Sequence, residues 1–242
     1  MEVKQYTYSS FIYNELMAHV TYDKWAAYIA NIVKIFIPKN PLVLDLTAGS
    51  GLLTDKLSKL LKTYIIANDL SYYMLEQYNT DSYKICSDIR SLPYKIKFDL
   101  VFSNFDSINY LLIEDDIFKA FKEISKILTI DGIFVFDVSL FKNSLPYKKP
   151  FHKTGTINGY YYFFKTEYDE INSIQTTTID VIDKLGQKFQ EIHKQKIYPL
   201  ETFFYLLEEA GLEVIKCYDG FSKKIASNNS KRAQFITKLY QE

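Results

Sequence analysis

The sequence predicts an α/β protein with a doubly wound, mostly parallel sheet and a small antiparallel β insertion. Short apolar runs alternate with stretches of helical periodicity along most of the chain, a pattern typical of βα units. One apolar run, at residues 41–44, leads directly into a glycine-containing turn and then a helix. Between residues 142 and 197 the pattern changes to runs rich in Tyr, Phe, Thr and Ile, which favours antiparallel strands.

The first βα unit has the clearest pattern. Residues 41–44 predict a buried strand, and leucines recur after the turn at three- and four-residue steps with charged residues between them. These leucines are Leu52, Leu53, Leu57, Leu60 and Leu61. The periodicity predicts an amphipathic helix that packs on the sheet. A second apolar run, at residues 64–68, predicts the next strand, which Asp69 ends.

Later elements carry start and stop signals. Ser71 is suited to cap the helix that follows the second strand. Gly211 is suited to end a late helix at residues 201–210. Two further apolar runs, at residues 212–218 and 233–239, predict the last strands of the sheet.

The β insertion follows the fifth predicted strand, so it leaves the sheet at the carboxyl edge, where open α/β folds bind ligands. Residues 142–150 predict a linker. Three strands are predicted after it, at residues 160–166, 174–182 and 189–197. We therefore predict a main domain formed by residues 1–141 and 198–242 and an insertion formed by residues 142–197. The insertion is expected to serve as a lid over the substrate or as the surface of a homodimer.

The turn at residues 45–51 indicates a cofactor that contains a nucleoside. Gly49 and Gly51 allow a close approach of the backbone to a ligand. Asp69 lies near the spacing of roughly 20 residues at which a carboxylate binds ribose hydroxyls. A dinucleotide motif needs a third glycine, but Thr54 stands at that position, and no Walker lysine follows the turn. The pattern therefore favours S-adenosylmethionine over NAD or a nucleoside triphosphate.

The chain resembles the class I S-adenosylmethionine-dependent methyltransferases in a series of ordered motifs. They lie at residues 45–51, 68–75, 87–90, 98–105 and 130–137. The resemblance implies the Rossmann-like methyltransferase fold, with a seven-stranded sheet whose final strand is antiparallel, and S-adenosyl-L-methionine as cofactor. Thr47 departs from the pattern, because it stands where the family usually has its first glycine.

The same resemblance implies which residues bind the cofactor. Asp69 is expected to bind the ribose hydroxyls, and Asp88 and Ile89 to flank the adenine. Asp45 is expected to bind the methionyl amino group or to accept hydrogen bonds from the turn. The full candidate set is Tyr13, Trp25, Asp45, Thr47, Ala48, Gly49, Gly51, Asp69, Leu70, Met74, Asp88, Ile89, Asn104 and Phe105.

Three residues are candidates for the reaction itself: Tyr13, Tyr110 and His193. The segments around Tyr13 and Tyr110 resemble a subgroup that includes small-molecule N-methyltransferases acting on amino sugars. In those enzymes a histidine stands at the position of Tyr110, and a tyrosine with a pKa near 10 is a poor base at neutral pH, so Tyr110 is expected to orient the acceptor. His193 either faces the acceptor or lies on the surface, and packing is the alternative role for Tyr13 and Trp25.

The amino-acid composition limits the kinds of partner that the protein is expected to bind. Lysine and arginine together number 29, as do aspartate and glutamate, so no overall field attracts nucleic acid or an anionic membrane. The first residues lack an apolar signal core, and no apolar stretch reaches the roughly 18 residues of a spanning helix. Cys86 and Cys217 lie in apolar runs and are expected to be buried thiols, with no zinc-type spacing. We expect a cytoplasmic protein with no metal site, no membrane partner and no nucleic-acid partner.

These observations support one leading hypothesis and two alternatives. The leading hypothesis is a methyltransferase that moves the methyl group of S-adenosylmethionine to a nitrogen or oxygen of a small metabolite. A non-catalytic protein that binds the same cofactor would carry the same motifs. An NAD-dependent oxidoreductase is disfavoured by Thr54. Methylation of DNA bases is disfavoured because residues 104–107 lack the Pro-Pro-aromatic sequence that grips a flipped base.

Overall fold

A seven-stranded sheet and a four-stranded sheet organise the computed structural model, which describes residues 1–80 and 82–241. In chain order the strands are β1 (Val43–Asp45), β2 (Ile65–Asp69), β3 (Lys84–Cys86), β4 (Phe98–Ser103), β5 (Leu128–Ser139), β6 (Phe151–Ile157), β7 (Tyr160–Asp169), β8 (Ile174–Ile182), β9 (Lys188–Lys196), β10 (Leu212–Asp219) and β11 (Arg232–Leu239). The helices are α1 (Ser10–Leu16), α2 (Tyr22–Val33), α3 (Leu52–Leu61), α4 (Tyr72–Glu76), α5 (Glu114–Ile127), α6 (Phe141–Ser144) and α7 (Leu200–Glu209).

The order of the strands confirms the predicted fold class. The large sheet has the order β3-β2-β1-β4-β5-β11-β10. Strands β1 to β5 pair in parallel, and β11 runs antiparallel to both β5 and β10. The direction of winding reverses between β1 and β4. At such a point the carboxyl ends of the strands leave a crevice in which open α/β sheets bind ligands.

The two faces of the sheet are covered by different helices. Neighbouring residues of a strand point to opposite faces, so Val43 and Leu44 belong to separate buried clusters. Val43 packs in the cluster with residues of α2 and α3, whereas Leu44 packs in the cluster with residues of α5 and α7. Fully buried parallel strands read as continuous apolar runs, which explains why β1 was recognisable in the sequence.

Helix α3 begins where the predicted amphipathic helix begins, and Gly51 stands just before it. The φ angle of Gly51 is +77°, a conformation that favours glycine. A Cβ atom added there would lie 2.2 Å from the ring of Tyr78. Gly51 is therefore required both by the backbone conformation and by the close approach of an aromatic side chain.

The small sheet has the order β6-β7-β8-β9, and all its pairs are antiparallel. Strand β8 coincides with the predicted strand at 174–182. The segment at 142–150, predicted as a linker, connects β5 to β6 and contains α6 and a 3-10 turn at Leu145–Lys148. Strand β6 was not predicted. It lies at the edge of the sheet and is mostly exposed, so its sequence lacks an alternating apolar signal.

The cysteines differ from the expectation in one respect. Cys217 is buried, and this burial raises the pKa of its thiol to about 12. Cys86 is exposed, which corrects the expectation that both thiols are buried. It ends β3, the short edge strand of the large sheet, where few side chains can cover it.

Within residues 1–80 and 82–241, no helix is both long and apolar enough to cross a bilayer.

Candidate active site

A cavity of about 1020 Å³ lies at the carboxyl ends of β1, β2 and β4. Its wall contains the turn after β1 and the residues that follow β2, β3 and β4. Tyr6 of the N-terminal segment and Ile192 of β9 also contribute to the wall. The cavity thus lies in the crevice that the strand order creates, and the small sheet and the N-terminal segment take part in enclosing it.

The turn after β1 is tied to neighbouring strands by its backbone. The N–H of Ala48 donates to the carbonyl oxygen of Asn68 at 2.8 Å, and the hydroxyl groups of Thr47 and Ser103 are 3.0 Å apart. Gly49 has a φ angle of +56°, and a Cβ atom there would lie 3.2 Å from the terminal methyl group of Met74. Thr47, Ala48 and Gly49 line the cavity, so the turn presents a fixed stretch of backbone to a ligand.

Asp45 supports this turn from inside. Its carboxyl group accepts hydrogen bonds from the hydroxyl of Thr54 at 2.7 Å and from the N–H of Thr47 at 3.2 Å. Burial raises the pKa of Asp45 to about 7, although these two hydrogen bonds oppose the shift. Thr54 occupies the position of the third glycine of a dinucleotide motif, and its side chain is fully buried against Asp45.

Asp69 joins the end of β2 to the turn. Its carboxylate accepts hydrogen bonds from the N–H groups of Gly49 and Ser71, both at 2.8 Å. Burial raises the pKa of Asp69, and the backbone hydrogen bonds oppose that shift. Because Asp69 also lines the cavity, its carboxylate lies between the turn and the start of α4. Ser71 caps α4 as predicted, by accepting a hydrogen bond from the N–H of Met74.

The residues after β3 form another part of the wall. Asp88, Ile89, Leu70 and Met74 all line the cavity. Arg90 lines it as well, and its guanidinium group is 2.6 Å from both Asp88 and Asp116. The hydrogen bonds from Arg90 lower the pKa of Asp88. Asp88 is therefore an ionised carboxylate, held in place at the edge of the cavity.

Asn104 carries unpaired polar atoms at the end of β4. It lines the cavity, and both its side-chain oxygen and its side-chain nitrogen are buried without a hydrogen-bond partner in the described part of the chain. Buried amide groups nearly always have partners, so the side chain of Asn104 is free to bind water or a ligand in the cavity. Phe105 follows with a φ angle of +60° and also lines the cavity. The next residue, Asp106, is held in place by Arg232, which also pairs with Asp137.

Two of the residues predicted to bind the cofactor do not form part of the cavity wall. Trp25 packs against Phe105 with a centroid distance of 4.5 Å and lies under the guanidinium group of Arg232. Gly51 lies below the turn, against Tyr78. Trp25 therefore supports a wall residue from behind, and Gly51 shapes the turn without lining the cavity.

Tyrosines dominate another part of the wall. Tyr6, Tyr13, Tyr22 and Tyr110 all line the cavity. The hydroxyl oxygens of Tyr6 and Tyr110 are 3.0 Å apart, and the rings of Tyr6 and Tyr13 meet edge to face. Burial raises the pKa of Tyr22 and of Tyr110 to about 12, and it also raises those of Tyr6 and Tyr13. These hydroxyl groups are therefore protonated at neutral pH.

His193 lies behind this wall. It is buried on β9 and is not part of the wall itself. Its Nδ1 atom is 3.2 Å from the hydroxyl oxygen of Tyr110, and its Nε2 atom is 3.1 Å from a carboxylate oxygen of Glu191. The imidazole ring is thus connected to the cavity through Tyr110.

Glu191 connects the small sheet to the N-terminal segment. It is fully buried, and its carboxylate accepts hydrogen bonds from the N–H groups of Tyr6, Tyr8 and Ser9 and from the hydroxyl of Ser9, at 2.6–3.0 Å. Burial alone would raise the pKa of Glu191, but hydrogen bonds from His193 and Ser9 bring it below its usual value. This contact holds Tyr6 in the wall of the cavity.

The sequence and the fold of this chain are similar to those of known methyltransferases. The Methyltransferase domain model matches residues 44–136, which contain the turn, Asp69 and Asn104. A putative methyltransferase of Bacillus subtilis, YqeM, is 28% identical over 235 residues, which cover 93% of each chain. The crystal structure of an S-adenosylmethionine-dependent methyltransferase from Clostridium acetobutylicum superposes with a TM-score of 0.81, at 26% identity over 98% of this chain and 99% of that one.

Residues 44–136 carry a methyltransferase domain, and the chain is an S-adenosylmethionine-dependent methyltransferase. These matches confirm the predicted enzyme class and S-adenosylmethionine as the cofactor. The sugar N-methyltransferase KedS8 from a Streptoalloteichus species has the same fold, with a TM-score of 0.78 at 16% identity over 96% of this chain and 93% of that one.

The donor groups of this methyltransferase fit that cofactor. Asp69 supplies a carboxylate next to a glycine turn, and Asn104 supplies an amide that has no partner in the described part of the chain. Leu70, Met74 and Ile89 supply apolar surface in the same wall. A ribose, an amino acid group and an adenine need these three kinds of surface.

Several residues of the methyltransferase site were not found from the sequence. Tyr6, Tyr22 and Arg90 line the cavity, and Glu191 anchors Tyr6. Arg90 directly follows the third motif and could have been included on that ground. No sequence pattern pointed to Tyr6 or Glu191, because their contact joins segments that are 185 residues apart in the chain.

Proposed function

We propose that this methyltransferase transfers the methyl group of S-adenosylmethionine to a nitrogen or oxygen of a small metabolite. One observation carries the proposal: a single cavity of about 1020 Å³ combines the glycine turn and Asp69 with a group of four tyrosines. Sites for small molecules typically measure about 300–1,000 Å³, so this cavity has room for the cofactor and a small acceptor together. The balanced charge of the chain provides no general attraction to nucleic acid.

The cofactor half of the site uses the turn and the ends of β2 to β4. Asp69 binds the ribose hydroxyls, and Asp88 and Ile89 flank the adenine. Asn104 satisfies its amide through the methionyl group of the cofactor, which explains a buried polar side chain without a partner. Asp45 acts through the turn, because its carboxyl group is already bonded to Thr47 and Thr54.

The acceptor half is the tyrosine wall. When bound, S-adenosylmethionine supplies an electrophilic methyl group on a positively charged sulfur. The faces of aromatic rings favour a nearby cation, and a wall of buried rings excludes water from the reacting atoms. Tyr13 contacts the reacting groups, and Tyr110 orients the acceptor. The shared fold with sugar N-methyltransferases supports nitrogen as the acceptor atom.

The insertion at residues 142–197 serves as a lid in this proposal. Ile192 and Lys194 of β9 form part of the cavity wall, which supports a lid more directly than a dimer surface. Two main-chain hydrogen bonds join the N-terminal segment to the same strand: the N–H of Val3 donates to the carbonyl oxygen of Gln190, and the N–H of Gln190 donates to that of Met1. The remainder of the chain, at residues 1–141 and 198–242, forms the cofactor-binding domain.

The test is methylation of a cell extract with cofactor that carries an isotopic label on its methyl group. The extract is divided into protein, nucleic-acid and small-molecule fractions, and each fraction is incubated separately with enzyme. We expect label in one or a few small molecules, which mass spectrometry identifies. Label that appears in protein or nucleic acid alone would contradict the proposal. Asp69→Ala enzyme is the control and should give no labelled product.

A further inference from the structure

A row of four side chains leads from the cavity into the interior of the protein. The hydroxyl oxygens of Tyr6 and Tyr110 are 3.0 Å apart, and the Tyr110 oxygen is 3.2 Å from Nδ1 of His193. Nε2 of His193 is 3.1 Å from the Glu191 carboxylate. Tyr6 and Tyr110 line the cavity, whereas His193 and Glu191 are buried behind them. The row therefore connects a buried imidazole to the acceptor half of the cavity.

Glu191 sets the direction of every hydrogen bond in this row. Its pKa lies below the usual value, so it is an ionised carboxylate and can only accept. Nε2 of His193 therefore carries a proton and donates to it. In a neutral imidazole the other nitrogen is then an acceptor, so Tyr110 donates to Nδ1 and Tyr6 donates to Tyr110. The donations from Tyr110 to His193 and from His193 to Glu191 point away from the cavity, the direction in which a proton from the acceptor would travel.

We propose that Tyr110 and His193 together remove a proton from the methyl acceptor, with Tyr110 in contact with the acceptor and His193 as the final proton acceptor. This inference rests on the proposed function. The acceptor nitrogen forms a bond to the methyl carbon, and the carbon–sulfur bond breaks with its electron pair on sulfur. The nitrogen's proton passes to the Tyr110 oxygen while the Tyr110 proton passes to Nδ1 of His193. The step ends with an imidazolium beside the Glu191 carboxylate.

Tyr110 cannot perform this step without His193. Burial raises the pKa of Tyr110 to about 12, so its phenolate is scarce at neutral pH. A phenol that gives its proton to an imidazole while it receives another avoids the phenolate. The hydrogen bond from Tyr6 stabilises the negative charge that develops on the Tyr110 oxygen during the transfer. The titratable groups next to His193 in the described residues are Glu191, Tyr110 and Tyr6, and Thr177 lies opposite on β8.

The row indicates the class of acceptor. An acceptor that needs a base is one that still holds a proton on its nucleophilic atom, such as a primary or secondary amine. A tertiary amine or a thioether has no such proton and would gain nothing from His193. We therefore infer that the acceptor is a small molecule with at least one N–H or O–H bond at its nucleophilic atom.

A purely structural role is the competing explanation. Glu191 also binds the N–H groups of Tyr6, Tyr8 and Ser9, so the same contacts would hold the N-terminal segment in place without any proton transfer. The two roles differ in the state of His193 and in the effect of pH on the reaction. Both can be measured.

The first measurement needs no acceptor. Nitrogen-15 NMR of the imidazole groups, recorded at pH 8 on the complex with S-adenosylhomocysteine, reports which nitrogen of His193 carries the proton. We expect the proton on Nε2 alone, and a shift of the Nδ1 signal in Tyr110→Phe as its hydrogen bond is lost. A proton on Nδ1, or on both nitrogens, would overturn the proposal, because Nδ1 could not then receive a proton.

The second measurement follows release of S-adenosylhomocysteine with the small-molecule fraction of a cell extract as acceptor. His193→Gln can still accept from Tyr110 and donate to Glu191, but it cannot take up a proton. We expect this variant and Tyr110→Phe to lose at least about tenfold in rate at pH 7, because general base catalysis typically contributes about 10²–10⁴-fold. The loss should shrink as pH rises, because hydroxide can then take up the proton that His193 would otherwise accept. A loss that is the same at every pH, or a rate within threefold of the parent enzyme, would overturn the proposal.

Controls separate this proposal from the proposed function. His152→Gln changes an exposed histidine on β6 and should leave the rate unchanged. Ser9→Ala weakens the anchor of the N-terminal segment without touching His193, so its effect should not vary with pH. If the parent enzyme fails to bind S-adenosylhomocysteine, the proposed function fails. If it binds the product normally and His193 has the wrong proton, only the proton transfer fails.

Discussion

At the scale of single residues, Asp69 combines two tasks. Its carboxylate holds the N–H groups of Gly49 and Ser71 and also lines the cavity. We expect Asp69→Ala to weaken binding of S-adenosylhomocysteine at least about tenfold, because one hydrogen bond to a charged group contributes about 1.5–3 kcal/mol. Titration calorimetry measures this. Asp131→Ala, at an exposed position near the start of β5, is the control. Binding by Asp69→Ala within twofold of the parent enzyme would contradict the assignment.

Asn104 and Asn109 form a matched pair of buried amides. Among the described residues Asn104 has no partner for its amide, whereas Asn109 exchanges hydrogen bonds with the backbone of Ser139 and donates to the carbonyl oxygen of Lys196. We expect Asn104→Ala to change the free energy of unfolding by less than about 1 kcal/mol and to weaken cofactor binding. Asn109→Ala should lower the free energy of unfolding by about 2 kcal/mol or more, because buried backbone groups lose their partners. Urea unfolding and calorimetry distinguish the two. The opposite order of stabilities would contradict this account.

Asp45 links stability to pH. Burial raises its pKa to about 7, well above the value near 3.9 in an unfolded chain. The native protein therefore binds this proton more tightly, and the stability that results is present at low pH and lost as pH rises through about 7. Asp45→Asn removes this ionisation. We expect the free energy of unfolding of Asp45→Asn, relative to that of the parent protein, to increase between pH 4 and pH 7. Urea unfolding at several pH values tests this, and a relative stability that falls over that range would refute it.

At the scale of secondary-structure elements, the junction between β1 and α3 depends on Gly51. Gly51→Ala should destabilise the protein by more than about 2 kcal/mol, because the new methyl group would overlap the ring of Tyr78 in addition to the cost of a positive φ angle. Gly186→Ala is the control, since Gly186 has a φ angle of +80° but, apart from its chain neighbours, no atom of the described residues lies within 4 Å of the added carbon. Thermal unfolding compares them. Equal losses in the two variants would show that the contact with Tyr78 is unimportant.

Elements were predictable where burial imposed a regular pattern. Strands β1, β2 and β4 are buried and read as apolar runs, and α3 shows leucines on one face. Strand β6 is an exposed edge strand, and α6 is a single helical turn, so neither is set by an apolar pattern. Their positions depend on pairing with β7 and on the path of the chain after β5, which local sequence does not encode.

At the scale of the whole molecule, the meeting of the turn with Asp69 was predictable, whereas the sequence suggested Tyr13, Tyr110 and His193 without indicating the contacts that join them. Asp45, Gly49 and Asp69 come from consecutive βα units, whose order fixes their meeting point at the carboxyl edge. The contact of Tyr6 with Glu191 and Tyr110 instead requires three distant segments to converge. No spacing rule relates such segments, so the position of His193 behind Tyr110 appears only in the folded chain.

The central claim is that one cavity at the carboxyl edge binds S-adenosylmethionine beside a tyrosine wall. A crystal structure of the complex with S-adenosylhomocysteine tests it most directly. The account predicts the ribose at Asp69, the adenine beside Ile89, and the sulfur atom directed towards Tyr13 and Tyr110. A ligand bound outside this cavity, or bound within it with the sulfur atom turned away from both tyrosines, would contradict the account.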